Sequence, residues 1–287
     1  MSLEELKHRI EAFGLKLFYG LLRMLPLDAA SWLGGFLARL IGPMLKAQRI
    51  AKANIARFMP HLSEAEQRKL LRGMWDHLGR VAAELPHISG KEIIKRVTFI
   101  GSENMPKPNE GVFFFSGHFG NWELLPEVAL KHNVPITLIY REANNPYADK
   151  IIADIRAVHA NNMFPKGTRG AVKMARAIKN NEAIAMLIDQ KMNDGIAVPF
   201  FGVPAMTAPA IAQLALRYDL PILPAYVLRK SGAHFEAHMF PALEYEKTGD
   251  AEKDTLAIMT AINQMLEGWI RAHPEQWFWV HKRWPAS

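Results

Sequence analysis

The chain has 287 residues, 49% of them hydrophobic, no cysteine, and a formal charge of +7 from 35 Lys and Arg against 28 Asp and Glu. Absent cysteine excludes disulfides, cysteine nucleophiles and thiolate metal sites. The basic balance suits an anionic lipid surface, a nucleic acid or an acidic protein, and solvated basic faces would account for it equally well.

The first fifty residues are rich in apolar and aromatic side chains, among them Phe13, Leu17, Tyr19, Leu22, Trp32, Phe36 and Leu40. Acidic residues precede this stretch and no small-residue cleavage site follows, so it does not read as a signal peptide. Arg23, Pro26, Asp28 and Arg39 interrupt it, leaving no uncharged run near the ~20 residues of a membrane-spanning helix. Pro26 and Asp28 predict a break and an N-cap between two helices. With Arg23, Arg39, Lys46 and Arg49 flanking the apolar faces, the pair reads as helices lying on an anionic membrane. An ordinary buried helical hairpin is the alternative.

The segment from Ser63 opens with a capping box, Ser63 and Glu66, followed by apolar positions at helical spacing. Near residue 96 the pattern changes. Short apolar runs predict strands at 96–101, 112–117, 134–140, 163–165, 183–189, 221–229 and in 234–243. Helices are predicted over 121–132, 146–162, 170–181, 207–219 and 250–274. The expected architecture is α/β, a mixed and largely parallel sheet flanked by helices. Residues 1–92 form a helical membrane-associating region, and 93–287 form the core with a C-terminal helix and an aromatic tail.

Chemistry in such sheets gathers where strands end. His118, Tyr140–Arg141, Lys166–Arg169 and Asp189–Gln190 all fall at such edges. His118 begins a His–x4–Glu pair with Glu123, but so do His61 with Glu66 and His87 with Glu92. Spacing alone does not choose among them. Context does: the buried run "VFFFSG" aims His118, Gly117 and Gly120 allow another molecule to approach the backbone, and Glu123 falls in the first turn of a helix. A carboxylate on one ring nitrogen leaves the other as a general base, so His118 and Glu123 read as base and orienter. No cysteine and no G-x-S-x-G are present, so direct attack by a substrate hydroxyl on an activated carbonyl is the simplest reaction. His132 and His159 have no ligand-spaced relation to His118, and no metal or other cofactor is expected.

"SGHFGNWELL" resembles the first block of the lysophospholipid acyltransferase superfamily, and its Glu version resembles the bacterial late acyltransferases of lipid A biosynthesis, the lauroyl/myristoyl family. "YREANNPYADKIIADIR", "FPKGTRGAVKMARAIKNNEAIAMLIDQKMNDGIAVPFFG" and "PEQWFWVHKRW" are similar to later blocks, in order. "FPKGTR" is not the Pro-Glu-Gly-Thr-Arg block of glycerolipid enzymes: by block order Arg169 is the second-block arginine, and Asp189 stands where that glutamate would be. The resemblance implies a glycerol-3-phosphate/lysophospholipid acyltransferase-like fold, an acyl carrier protein thioester as donor, a lipid A precursor as acceptor, and a place on the cytoplasmic face of the inner membrane. Physics and resemblance together make Arg141 and Arg169 candidates to hold phosphates or an oxyanion, and Asp189 and Gln190 candidates to orient an arginine or the sugar. The aromatic tail reads as packing and membrane-interface residues. Acyl-CoA-dependent acylation of another glycolipid, such as a phosphatidylinositol mannoside, is the alternative reaction. A non-catalytic membrane-binding protein is a different class, against which the intact His118, Glu123, Arg169 and Asp189 speak. Nucleic-acid binding has only net charge behind it, and it is not expected.

Overall fold

The computed structural model describes residues 2–284 except Ser89, Arg141, His159, Lys166 and Gly167, and only the backbone of residues 161, 165 and 168–171. Helix α1 (Leu3–Met24) is capped by Ser2, whose Oγ accepts the Glu5 N–H at 3.1 Å. Helix α2 (Leu27–Ile41) has Pro26 at its N-cap position. Asp28, expected as the cap, instead lies in the first turn and accepts a hydrogen bond from Arg96 at 2.6 Å. Helix α3 (Lys46–Phe58) leads to α4 (Glu64–Glu84), where the predicted capping box is formed: the Ser63 N–H reaches Glu66 at 2.7 Å. A short α5 (Lys91–Ile94) enters the sheet.

The α/β portion runs β1 (Val97–Ile100), β2 (Val112–Ser116), α6 (Leu125–Lys131), β3 (Ile136–Tyr140), α7 (Pro146–Arg156), β4 (Ala160–Pro165), α8 (Thr168–Lys179), β5 (Ala183–Leu187), β6 (Ile196–Phe200), β7 (Val203–Thr207), α9 (Ala210–Tyr218), β8 (Ile222–Ser231), β9 (His234–Met239) and α10 (Ala251–Ala272). Seven strands form one sheet in the order β1-β9-β8-β2-β5-β3-β4. Every pairing is parallel except β8 with β9, so the sheet is mixed and largely parallel, as expected. Two details differ from the sequence reading. Helix α7 stops at Arg156 and residues 160–162 belong to β4. The β6–β7 hairpin has no clear signal in the sequence, because Pro199 and Pro204 interrupt its pattern and sit opposite each other in the pairing.

Strand β2 is buried along its whole length, and its side chains divide between two cores. Phe113 and Phe115 pack on one face with Met186 of β5, Ile262 of α10, and Ile55 and Met74 of α3 and α4. Val112 and Phe114 pack on the other with Val128 of α6, Ala225 of β8, and Leu22 and Ala30 of α1 and α2. Both cores therefore cross the expected boundary at residues 92 and 93. A buried polar cluster crosses it too: Glu84 of α4 accepts from Ser31 at 2.6 Å, from Asn121 at 2.7 Å and from both terminal nitrogens of Arg229 at 2.6 and 2.7 Å.

The N-terminal helices are amphipathic in two directions. Tyr19, Leu22, Leu27 and Ala30 face the core, while Ile10, Phe13, Leu17, Leu21 and Met24 of α1 and Trp32, Phe36 and Leu40 of α2 are exposed. No helix among the described residues is long and apolar enough to cross a membrane.

Candidate active site

His118 follows the buried end of β2 and is gripped on three sides. Its backbone N–H donates to Asp189 Oδ2 at 2.8 Å, its carbonyl accepts from Phe278 at 3.1 Å, and its ring Nδ1 lies 2.8 Å from Asp189 Oδ1. The Trp277 indole N–H donates to the same Asp189 Oδ2 at 2.9 Å. Asp189 follows β5, the parallel neighbour of β2, so adjacent strand ends bring the two residues together. Its side chain is fully buried. Burial pushes its carboxyl upward, but the charge and hydrogen bond of His118, the nearby His281 and the Trp277 indole outweigh that and hold it well below the usual carboxylate range. An ionised carboxylate only accepts, so Nδ1 carries the ring proton and Nε2 is the basic nitrogen of the neutral ring. The Gln190 amide nitrogen lies 3.4 Å from Nε2, and Trp122 and Phe278 flank the ring at 5.1 and 5.5 Å between centroids.

The two glycines serve the protein itself and not an incoming molecule. A Cβ on Gly117 would stand 2.9 Å from Leu266 and 3.2 Å from Asp189 Oδ2. Gly120, at φ +57°, would put a Cβ 2.0 Å from the Val227 carbonyl.

The imidazole borders a cavity of about 390 Å³ lying over the sheet on the Phe114 side. Leu138, Ala185, Phe114 and Ala225 line it from the strands, and Leu125, Pro126 and Ala129 line it from α6. Met239 also lines it, from the strand beyond β8. Near His118 the lining turns polar, with Glu123, Arg156, Gln190 and Ser116. A histidine–carboxylate pair beside an apolar slot can deprotonate a hydroxyl while an apolar chain is held next to it.

A family profile described as "Bacterial lipid A biosynthesis acyltransferase" matches residues 3–286. The chain belongs to that family. Among similar proteins, the lipid A biosynthesis palmitoleoyltransferase of Escherichia coli (strain K12) is 24% identical over 268 residues, covering 90% of this chain and 86% of that one. The lipid A biosynthesis acyltransferase of Shigella flexneri matches to the same extent. The crystal structure of the 1-acyl-sn-glycerophosphate acyltransferase PlsC from Thermotoga maritima is a looser likeness, with TM-score 0.38 and 12% identity over 91% of this chain and 98% of that one.

In this lipid A acyltransferase the orienter expected from spacing is not the one the fold supplies. Glu123 makes a two-pronged ion pair with Arg156, at 2.8 Å to Nε and 2.5 Å to a terminal nitrogen, and accepts from the Trp122 indole at 3.0 Å. It sits in a tight turn ahead of α6 that points it at α7, while Asp189 occupies Nδ1. Tyr19 of α1 is buried next to this ion pair, and burial first, then Glu123, pushes its hydroxyl up to about 12. Gln190 lies at the imidazole as a strand-end residue should. Arg141 lies outside the described residues. Arg169 lies in α8, and its side chain is likewise outside the described part of the chain.

Two residues of the candidate site have no clear signal in the sequence. Arg156 reads as an ordinary helix-end cation, because nothing local ties it to a carboxylate 33 positions away. Trp277 reads as one of several tail aromatics. Of the two expectations for that tail, packing holds for its tryptophans and membrane-interface placement does not: Trp277, Trp279 and Trp284 are buried, and their indoles donate to Asp189, Pro274 and Phe200 respectively.

Proposed function

We propose that this acyltransferase moves a fatty acyl chain from an acyl carrier protein thioester to a hydroxyl of a lipid A precursor, on the cytoplasmic face of the inner membrane. His118 is the general base. Its Nε2 takes the hydroxyl proton as the oxygen attacks the thioester carbonyl. The oxyanion so formed collapses, the carbon–sulfur bond breaks, and the imidazolium returns the proton to the leaving thiolate. Asp189 fixes the tautomer and stabilises the imidazolium through Nδ1. Gln190 gives up its contact with Nε2 to the acceptor hydroxyl. Arg156, neutralised by Glu123, lines the cavity wall, and Arg141 and Arg169 hold acceptor phosphates.

The observation that carries this reading is the His118–Asp189 pair beside the apolar cavity. Family membership supports the acceptor class. The exposed apolar faces of α1 and α2 support binding at a membrane surface. Mass spectrometry of lipid A from cells lacking the protein tests it. Loss of one secondary acyl chain is expected, restored by the wild type and not by His118→Ala; an unchanged lipid A profile sinks the proposal.

A further inference from the structure

A second cavity, of about 420 Å³, lies away from the catalytic residues, between α2 and α4. Arg39, Arg68 and Arg72 line it, with Phe36, Leu40 and Trp75 as apolar walls. The arginines are not spent on internal pairing to the same degree. Arg39 is held by Asp76 at 2.9 Å. Among the described residues Arg68 meets only Glu64 at 3.2 Å, an exposed pair worth little in water. Arg72 has no ion-pair partner among the described residues. Gln48 also lines the cavity; its carbonyl accepts the Trp75 indole at 2.6 Å, which leaves its amide N–H groups free to donate. Helix α3 contains no acidic residue, and adds Lys46, Arg49 and Lys52 nearby in sequence. Phe36 and Leu40 belong to an exposed apolar row on α2 with Trp32, and the exposed Ile41, Met44 and Leu45 follow in sequence. Trp32 and Phe36 stack at 5.3 Å.

A cavity lined by both arginines and apolar side chains, and continuous with an exposed apolar row, fits an amphipathic anion. We infer that this cavity binds the phosphate head group of an anionic membrane phospholipid, with its acyl chains along the Trp32–Phe36–Leu40 row. The inference rests on the proposed membrane association and sharpens it: one built phosphate site, and not diffuse basic charge, selects the anionic surface. A guanidinium pair matches phosphate oxygens in geometry as well as charge.

The test is co-sedimentation of the full chain with vesicles of phosphatidylcholine, with and without phosphatidylglycerol. Arg68→Gln/Arg72→Gln removes the two least engaged arginines, and Lys131→Gln/Lys253→Gln removes the same charge from α6 and α10. An arginine near an anionic surface contributes about fivefold to partitioning, so the first pair should lose on the order of thirtyfold of the gain that phosphatidylglycerol brings, and the second no more than about twofold. Equal losses in both pairs, or none in the first, overturn the site while leaving membrane binding intact. A wild type that ignores both vesicle types overturns membrane association and the site with it. Inorganic phosphate at constant ionic strength should not release the bound protein; release would reassign the cavity to free phosphate and overturn the lipid reading. Both arginines are exposed, and an unchanged thermal midpoint confirms that the variant is folded.

Discussion

The ring Nδ1 of His118 lies 2.8 Å from Asp189 Oδ1, and the two residues are 71 positions apart. Glu123, five positions from His118, instead binds Arg156. The short-range pair suggested by spacing is therefore replaced by a long-range one that the parallel pairing of β2 with β5 creates.

Asp189→Asn should lower kcat by about 10²–10⁴, because an amide facing Nδ1 favours the wrong tautomer and no longer stabilises an imidazolium. Steady-state kinetics with circular dichroism as a folding control measures this. Activity within a few-fold of wild type would return Asp189 to a purely structural role.

Glu123→Gln should act first on stability. It leaves the mostly buried Arg156 guanidinium without its counter-charge, at a cost of about 3 kcal/mol. Glu123→Gln/Arg156→Met should recover part of that loss in urea unfolding. If Glu123→Gln kept full stability yet shifted the pH profile of kcat, Glu123 would be acting on His118 after all.

Acid should destabilise the fold through two buried histidines. Burial, then the charge of Arg229, holds His77 down to about 3, and burial holds His281 down to about 4. Both stay neutral in the folded protein while the unfolded chain protonates them near 6.5. Their combined contribution is thus complete above about pH 6.5 and falls towards pH 4, at roughly 2 to 3 kcal/mol per pH unit around pH 5. His77→Gln, which cannot titrate, should remove about half of that slope in urea midpoints measured across this window. An unchanged slope would mean that other groups set the acid limb.

The cavity predicts its own chain-length mutant. Ala225 lines the cavity beside Phe114, so Ala225→Leu should fill part of the slot and favour shorter acyl chains in the product. Competition between donors of different length, read by mass spectrometry, decides it. An unaltered preference would place the acyl chain elsewhere.

Phe13 and Leu17 are 70% and 55% exposed on α1, so Phe13→Ser/Leu17→Ser should weaken vesicle binding without lowering the thermal midpoint. A drop in stability with binding retained would assign these side chains to internal packing.

Most elements and much of their arrangement are legible in local sequence chemistry. The apolar run 112–116 is a strand buried on both faces, Ser63 and Glu66 cap α4, and alternating strands and helices yield a largely parallel sheet. These features depend on residues within a turn or a strand of one another, so periodicity and capping chemistry expose them. Ordered motif blocks likewise pointed to the family. The tertiary structure alone decided which carboxylate meets His118, that Arg156 takes Glu123, that the Trp277 indole braces Asp189, and that α3 and α4 share a core with the sheet. Those contacts join residues tens to hundreds of positions apart. Strand order and helix packing set them, and local spacing carries no trace of either.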